Sequence, residues 1–159
     1  MVRIVTILCL LFHTTTFAQR FPISPNAYDA QGKRTGHWTI LYDSLFKKEV
    51  QDPDSAFYYR LVKFEAGKPI GKVRDFYRSG FKQWEGHLIS LLPDVADGEV
   101  RYFFENGKIQ QHMLMSQGKK DGPYRQYDPS GNLISEGTFK TDSMEGKWTS
   151  YWNNGAIQA

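Results

Sequence analysis

Short runs of alternating apolar and polar residues, each bracketed by two glycines nine positions apart, fill most of this chain. The runs Gly71 to Gly80, Gly98 to Gly107, Gly122 to Gly131 and Gly146 to Gly155 share one frame. A weaker copy opens at Gly36, with Leu45 where the closing glycine belongs. Period-two alternation over so few residues predicts β-strands. Two and six positions after each opening glycine stand Trp38, Val73, Val100, Tyr124 and Trp148, then Tyr42, Tyr77, Phe104, Asp128 and Trp152. These share one face of a regular strand. The opposite face carries Thr39, Arg74, Arg101, Arg125 and Thr149 at position three, and Leu41, Phe76, Phe103, Tyr127 and Tyr151 at position five. Both faces therefore hold large apolar groups, and the sheet must coil or curl so that one side closes over.

The punctuation predicts where the chain reverses. The closing glycines follow Arg78-Ser79, Glu105-Asn106, Pro129-Ser130 and Asn153-Asn154, and Asn-Gly or Ser-Gly between apolar runs marks a tight hairpin. A second turn signal precedes each opening glycine by four positions: Gly32, Gly67, Gly118, Asp94 and Asp142. Glycine and aspartate both tolerate left-handed backbone angles, so a positive φ is expected throughout this column. Opening glycines recur every 24 residues at the end of the chain, the length of one supersecondary repeat. Three extra residues fall around Leu92-Pro93-Asp94, and eleven fall within residues 43–55. The fold class expected is all-β: stacked antiparallel β-hairpin repeats forming an extended, twisted meander sheet. A lone hairpin is marginal, so stability must come from neighbouring units.

The first eighteen residues differ in kind. Arg3, an apolar run from Ile4 to Phe12 and Thr16-Phe17-Ala18 read as a secretory signal peptide cut after Ala18. The run is shorter than the roughly 20 apolar residues that span a bilayer. The only cysteine, Cys9, lies inside it, so the mature chain would lack disulfides. Residues 19–31 read as an extended lead-in, and 32–159 as the repeat domain. The expected location is secreted, periplasmic or cell-envelope. Loss of Arg3 leaves 19 bases against 17 acids, a balance too even for a nucleic-acid binder.

The recurring pattern Gly-Lys-x-x-Gly-x-aromatic-x-x-Tyr-aromatic-x-x-Gly, followed by an apolar strand and Glu-Gly, resembles the MORN repeat in its bacterial variant form. Residues 121–137 carry nearly the full unit, and Gly71 to Gly86 carries it too. The resemblance covers roughly Asp29 to Ala159. It implies stacked β-hairpins. Many bacterial members are antitoxin-like proteins of the YwqK type, and eukaryotic relatives serve as scaffolds linked to membranes and phospholipids. Two departures stand out: Met113 occupies the place of Gly86 and Gly137, and the unit opening at Gly146 reads as incomplete at Ala159, which would leave an edge for strand addition.

No catalytic constellation is legible. His37, His87 and His112 occupy unrelated frame positions and form no metal pair. Gly67 to Val73 lacks the glycine spacing and hydroxyl of a phosphate loop. Glu85 and Glu136 recur five residues after a closing glycine, which favours cross-strand pairing with Lys or Arg over acid–base work. The expectation is a non-enzymatic protein without cofactor or metal, offering its sheet to a protein partner. Its possible binding surface comprises Arg74, Arg101, Arg125, Trp84, Trp148 and Trp152. The arginines could cover rings and bridge to acids, or form a basic ladder for anionic ligands. The tryptophans could be core, or a platform for glycans. Lysine-bearing turns (Lys33-Arg34, Lys68, Lys72, Lys119-Lys120) could meet an envelope or lipid surface if they share one edge.

Overall fold

A computed structural model describes residues 21–45 and 48–158; the expected signal peptide lies outside the described residues. Thirteen strands follow one another among them. They are β1 (Ala27–Tyr28), β2 (Arg34–Tyr42), β3 (Glu49–Val50), β4 (Tyr58–Glu65), β5 (Lys68–Tyr77), β6 (Lys82–Gly86) and β7 (Leu88–Leu91). Then come β8 (Asp94–Ala96), β9 (Gly98–Phe103), β10 (Ile109–Ser116), β11 (Lys119–Tyr127), β12 (Leu133–Lys140) and β13 (Ser143–Ser150). Eleven of these form one antiparallel meander sheet in the order β1-β2-β4-β5-β6-β9-β10-β11-β12-β13, with β3 also beside β2. The remaining two, β7 and β8, pair only with each other. The architecture is the all-β array of hairpins that the glycine frame predicts.

Each class of glycine does a different job. Gly80, Gly107, Gly131 and Gly155 have φ between 80° and 89°. Each donates its N–H to the carbonyl three residues back, at Tyr77, Phe104, Asp128 and Trp152. Those residues in turn donate to the carbonyls of Phe81, Lys108, Asn132 and Ala156. This is the three-residue hairpin loop whose last residue is a left-handed bulge, a position where a Cβ is strained. At the other end of the strands, Ala66-Gly67, Gln117-Gly118 and Thr141-Asp142 have two consecutive positive φ values, the two-residue turn that matches strand twist.

One expectation about that second column needs correction, at Asp94; Gly32, at φ 73°, meets it. Gly32 accompanies Asp29 in a loop of the closing kind, with Gly32 donating to Asp29 and Asp29 donating to Lys33. Asp94 has no positive φ. Its turn runs over a cis Leu92–Pro93 peptide, and Asp94 itself is the first residue of β8. Asp142, at φ 65°, does fit the expectation.

The opening glycines sit inside strands. At Gly71, Gly122 and Gly146, one residue of the earlier strand faces three of the later one. Gly71, for example, lies between the pairs Leu61↔Arg74 and Lys63↔Ile70. These are bulges, where an extra-long strand segment needs a left-handed residue.

One face carries the core. Trp38, Ile40, Tyr42, Val62, Phe64, Val73, Trp84, Leu88, Val100, Met113, Tyr124 and Phe139 form a continuous buried cluster. The β7–β8 hairpin and the lead-in each cover part of the sheet. The hairpin with three extra residues leaves the main sheet at His87 and Asp97, where Asp97 N–H donates to the His87 carbonyl. Its strands β7 and β8 fold over the core face and contribute Leu88, with Leu91 and Ala96 packed alongside. On the opposite face the lead-in crosses β2: Thr39 donates to the Pro22 carbonyl at 2.8 Å, and Asn26 exchanges two hydrogen bonds with the Thr39 backbone.

The recurrent Glu-Gly pair also acquires a reason. Strand alternation puts the glutamate on the outer face and the glycine on the core face. A Cβ on Gly86 would lie 2.8 Å from the Trp84 ring, and one on Gly137 would collide with the Trp148 ring. Met113 takes that place in the copy opening at Gly98, and there the longer side chain fills the core at 4% exposure.

Candidate functional site

The outer face is ordered by register. Successive strand pairs align Thr39↔Leu61, Leu61↔Arg74, Arg74↔Glu85, Glu85↔Arg101, Arg101↔His112, His112↔Arg125, Arg125↔Glu136 and Glu136↔Thr149. These residues stand in single file across nine strands, about 4.8 Å apart per step. The file exists because one frame position, three after the opening glycine, recurs on alternate strands, and the Glu of Glu-Gly recurs between them.

Charges in the file pair with their neighbours. Glu85 lies 2.8 Å from Lys82 Nζ, 3.3 Å from Arg101 Nη1, 3.7 Å from Lys72 Nζ and 3.9 Å from Arg74 Nε. Burial pushes its carboxyl up, but the Lys82 hydrogen bond and the charges of Lys82, Lys72 and Arg101 outweigh this and hold it below the usual carboxylate range. Glu99, two residues before Arg101, contacts Arg101 Nη2 and His112 Nε2, each at 2.7 Å. Glu136 accepts from the Tyr151 hydroxyl at 2.8 Å and from Arg125 Nε at 3.2 Å, and its carboxyl is likewise held low, by Tyr151 first and Arg125 second. Beside the file runs a second line of apolar residues at frame position five. Tyr59 and Phe76 stack at 4.9 Å between centroids, and Lys82 Nζ sits 4.1 Å over the Phe103 ring.

The core face carries a different polar group. Arg60, 2% exposed, donates from Nε and Nη2 to both Asp75 oxygens at 2.7 and 2.8 Å. It also donates from Nη1 and Nη2 to both Asp94 oxygens at 2.8 and 2.7 Å. Burial lowers the Arg60 pKa, yet its bonds to the two aspartates prevail and the guanidinium is held above its ordinary value. Burial pushes the Tyr42 phenol, 5.4 Å from the Arg60 guanidinium, up to about 12. This triad borders a half-open pocket of about 380 Å³ between the sheet and the β7–β8 hairpin, lined also by Gln83, Trp84 and Tyr102. Sequence reasoning missed Arg60 and Asp94 as partners. The available signal was a charged residue at an apolar-face position, Tyr58-Arg60-Val62-Phe64, which demands a buried acid.

The sequence-predicted binding residues separate. Arg74, Arg101 and Arg125 lie on one face in one file. Trp84 is buried at 8% and borders the pocket. Trp148 packs between Tyr124 and Phe139, and its Nε1 is buried without a hydrogen-bond partner. Trp152 is 58% exposed beyond β13. The lysine-bearing two-residue turns share one end of the sheet, where Gly118 donates to Ala96 and Asp142 to Lys120. Acids interrupt them: Arg34 pairs with Glu49, and Lys140 with Asp121. Among the described residues no group of three or more His, Cys, Asp or Glu side chains is gathered to hold a metal.

This fold and surface define a stacked-hairpin repeat module. Residues 96–116 and 120–141 match the family model described as MORN repeat variant, and the chain carries MORN-variant repeats there. The two segments correspond to the hairpins β9–β10 and β11–β12. Repeats of this kind mark a protein-binding module. No curated protein and no solved structure matches the chain.

Proposed function

We propose that this protein is a non-enzymatic scaffold of the cell envelope or extracellular space, and that it binds another protein through the outer face of its sheet. One observation supports this above others: the register gathers Arg74, Glu85, Arg101, His112, Arg125 and Glu136 into a single file across six adjacent strands, with exposed arginines at Arg74 and Arg125. A mixed-charge line beside half-buried aromatics is the composition of a recognition surface, with apolar anchors and a polar rim. The apolar leader at residues 4–12 supports the location.

Site-directed photo-cross-linking in the full chain tests the surface. A photoreactive residue at Leu114, on the outer face, is expected to give an adduct with a discrete protein. One at Leu92, at the tip of the β7–β8 hairpin, is expected to give none. Adducts from Leu92 alone would move the interface to the core face and end this reading. Fractionation of the tagged chain checks the compartment, and a purely cytosolic distribution rules out the envelope assignment.

A further inference from the structure

The charge on the outer face is unevenly used, and the excess defines what it can hold. The carboxylates Glu85, Glu99 and Glu136 are saturated by the contacts given above. The cations are not. Five fixed cations, Lys72, Arg74, Lys82, Arg101 and Arg125, face those three carboxylates among the described residues, a surplus of two. The surplus sits at two places. Arg74 is 48% exposed and meets Glu85 only at 3.9 Å through Nε. Arg125 is 53% exposed and engages Glu136 only through Nε at 3.2 Å. In neither does an Nη group hydrogen-bond a carboxylate among the described residues, which leaves both available for a bidentate bond.

Four strand steps separate Arg74 from Arg125, through Glu85, Arg101 and His112. At the usual strand spacing that is about 19 Å. An extended polypeptide covers this distance in about six residues. Resting on the protein-binding reading above, we propose that the occupant is an extended acidic peptide segment lying across the strands along this file. Its carboxylates meet Arg74 and Arg125 at either end, and apolar side chains meet the half-buried rings of Phe76 and Tyr127. The interruption of the file by Glu85 and Glu136 selects a polypeptide over a uniform polyanion. A peptide can place neutral or basic side chains opposite those glutamates, whereas an anionic bilayer or sulfated polymer presents the same sign at every step.

The experiment uses the full chain and a fluorescent twelve-residue peptide repeating Glu-Ser-Leu-Asp, with a Lys-Ser-Leu-Lys peptide as control. Phosphatidylserine vesicles and a sulfated polysaccharide form two further arms. The acidic peptide is expected to bind, to weaken as salt rises, and to lose about ten-fold or more in affinity in Arg74→Gln/Arg125→Gln, about 1.4 kcal/mol. The thermal midpoint of that variant should stay near wild type, since both arginines are exposed and weakly paired. Equal affinity of wild type and variant, binding of the basic peptide, or tighter binding to vesicles or sulfated polymer each overturns the proposal. A Leu114 cross-link without acidic-peptide binding overturns this inference while leaving the protein-binding reading standing.

Discussion

Arg60 of β4 grips Asp94 of β8 through two hydrogen bonds of 2.7 and 2.8 Å, across 34 positions of chain. Asp94 belongs to the hairpin that leaves the sheet, and Arg60 belongs to the sheet beneath it. The pair thus ties the excursion to the core face, while Asp75 neutralises the same guanidinium from the neighbouring strand.

The two aspartates should differ sharply when removed. Asp75→Ala leaves Arg60 charged and 2% exposed with half its partners gone, and should cost about 3–5 kcal/mol in urea unfolding. Asp94→Ala removes a carboxylate whose side chain is 42% exposed, so screening limits the loss to about 1 kcal/mol. Its signature should be local. Amides of residues 88–96 should exchange faster, with protection elsewhere in the sheet unchanged. Uniform loss of protection would show that the pair does not anchor the hairpin specifically.

Two glycines with opposite demands separate turn strain from packing. Gly107 has φ 80° and open space where a Cβ would go, so its value is conformational. Gly107→Asn should cost less than Gly107→Ala, for which about 1–2 kcal/mol is expected, because asparagine visits the left-handed region more readily. Gly86 is blocked by Trp84 and Val100. There alanine should cost about 1–3 kcal/mol and asparagine more, since overpacking grows with size. The order of the two variants at each site, read from chemical denaturation, decides the matter.

Acid should weaken the outer face. Glu85, Glu99 and Glu136 are all held below the ordinary glutamate value of 4.5. Their contribution is complete above the unfolded value and disappears as pH falls through the lower folded values. The denaturation midpoint should therefore hold between pH 7 and pH 5 and drop below about pH 4.5. Glu85→Gln, which removes the most heavily paired of the three, should flatten that drop. An identical acid profile in the variant would show that the pairing is energetically silent.

Thr141 occupies φ 49° in its two-residue turn, an unfavourable conformation for a β-branched residue. Thr141→Asn should raise stability by about 0.5–1 kcal/mol, visible as a higher thermal midpoint. Asp142 should not be changed with it. Its carboxylate accepts from Lys120 N–H at 2.8 Å and joins this turn to β11. Asp142→Gly should therefore forfeit part of the gain when combined with Thr141→Asn.

What the sequence by itself determined is the set of reversals. A positive φ is a local demand that few residues other than glycine meet, so the glycine frame marks the hairpins and bulges without reference to distant chain. Period-two alternation then assigned faces, and the arginine file follows once the hairpins pair. Tertiary structure alone decided which face closes into a core, because both carry aromatics at similar density. It also decided the fate of Asp94, whose place in the glycine column suggested a turn residue. Only the folding of β7 and β8 over the sheet brings it to Arg60. That contact spans 34 positions, and a long-range ion pair leaves no period in the sequence from which it can be read.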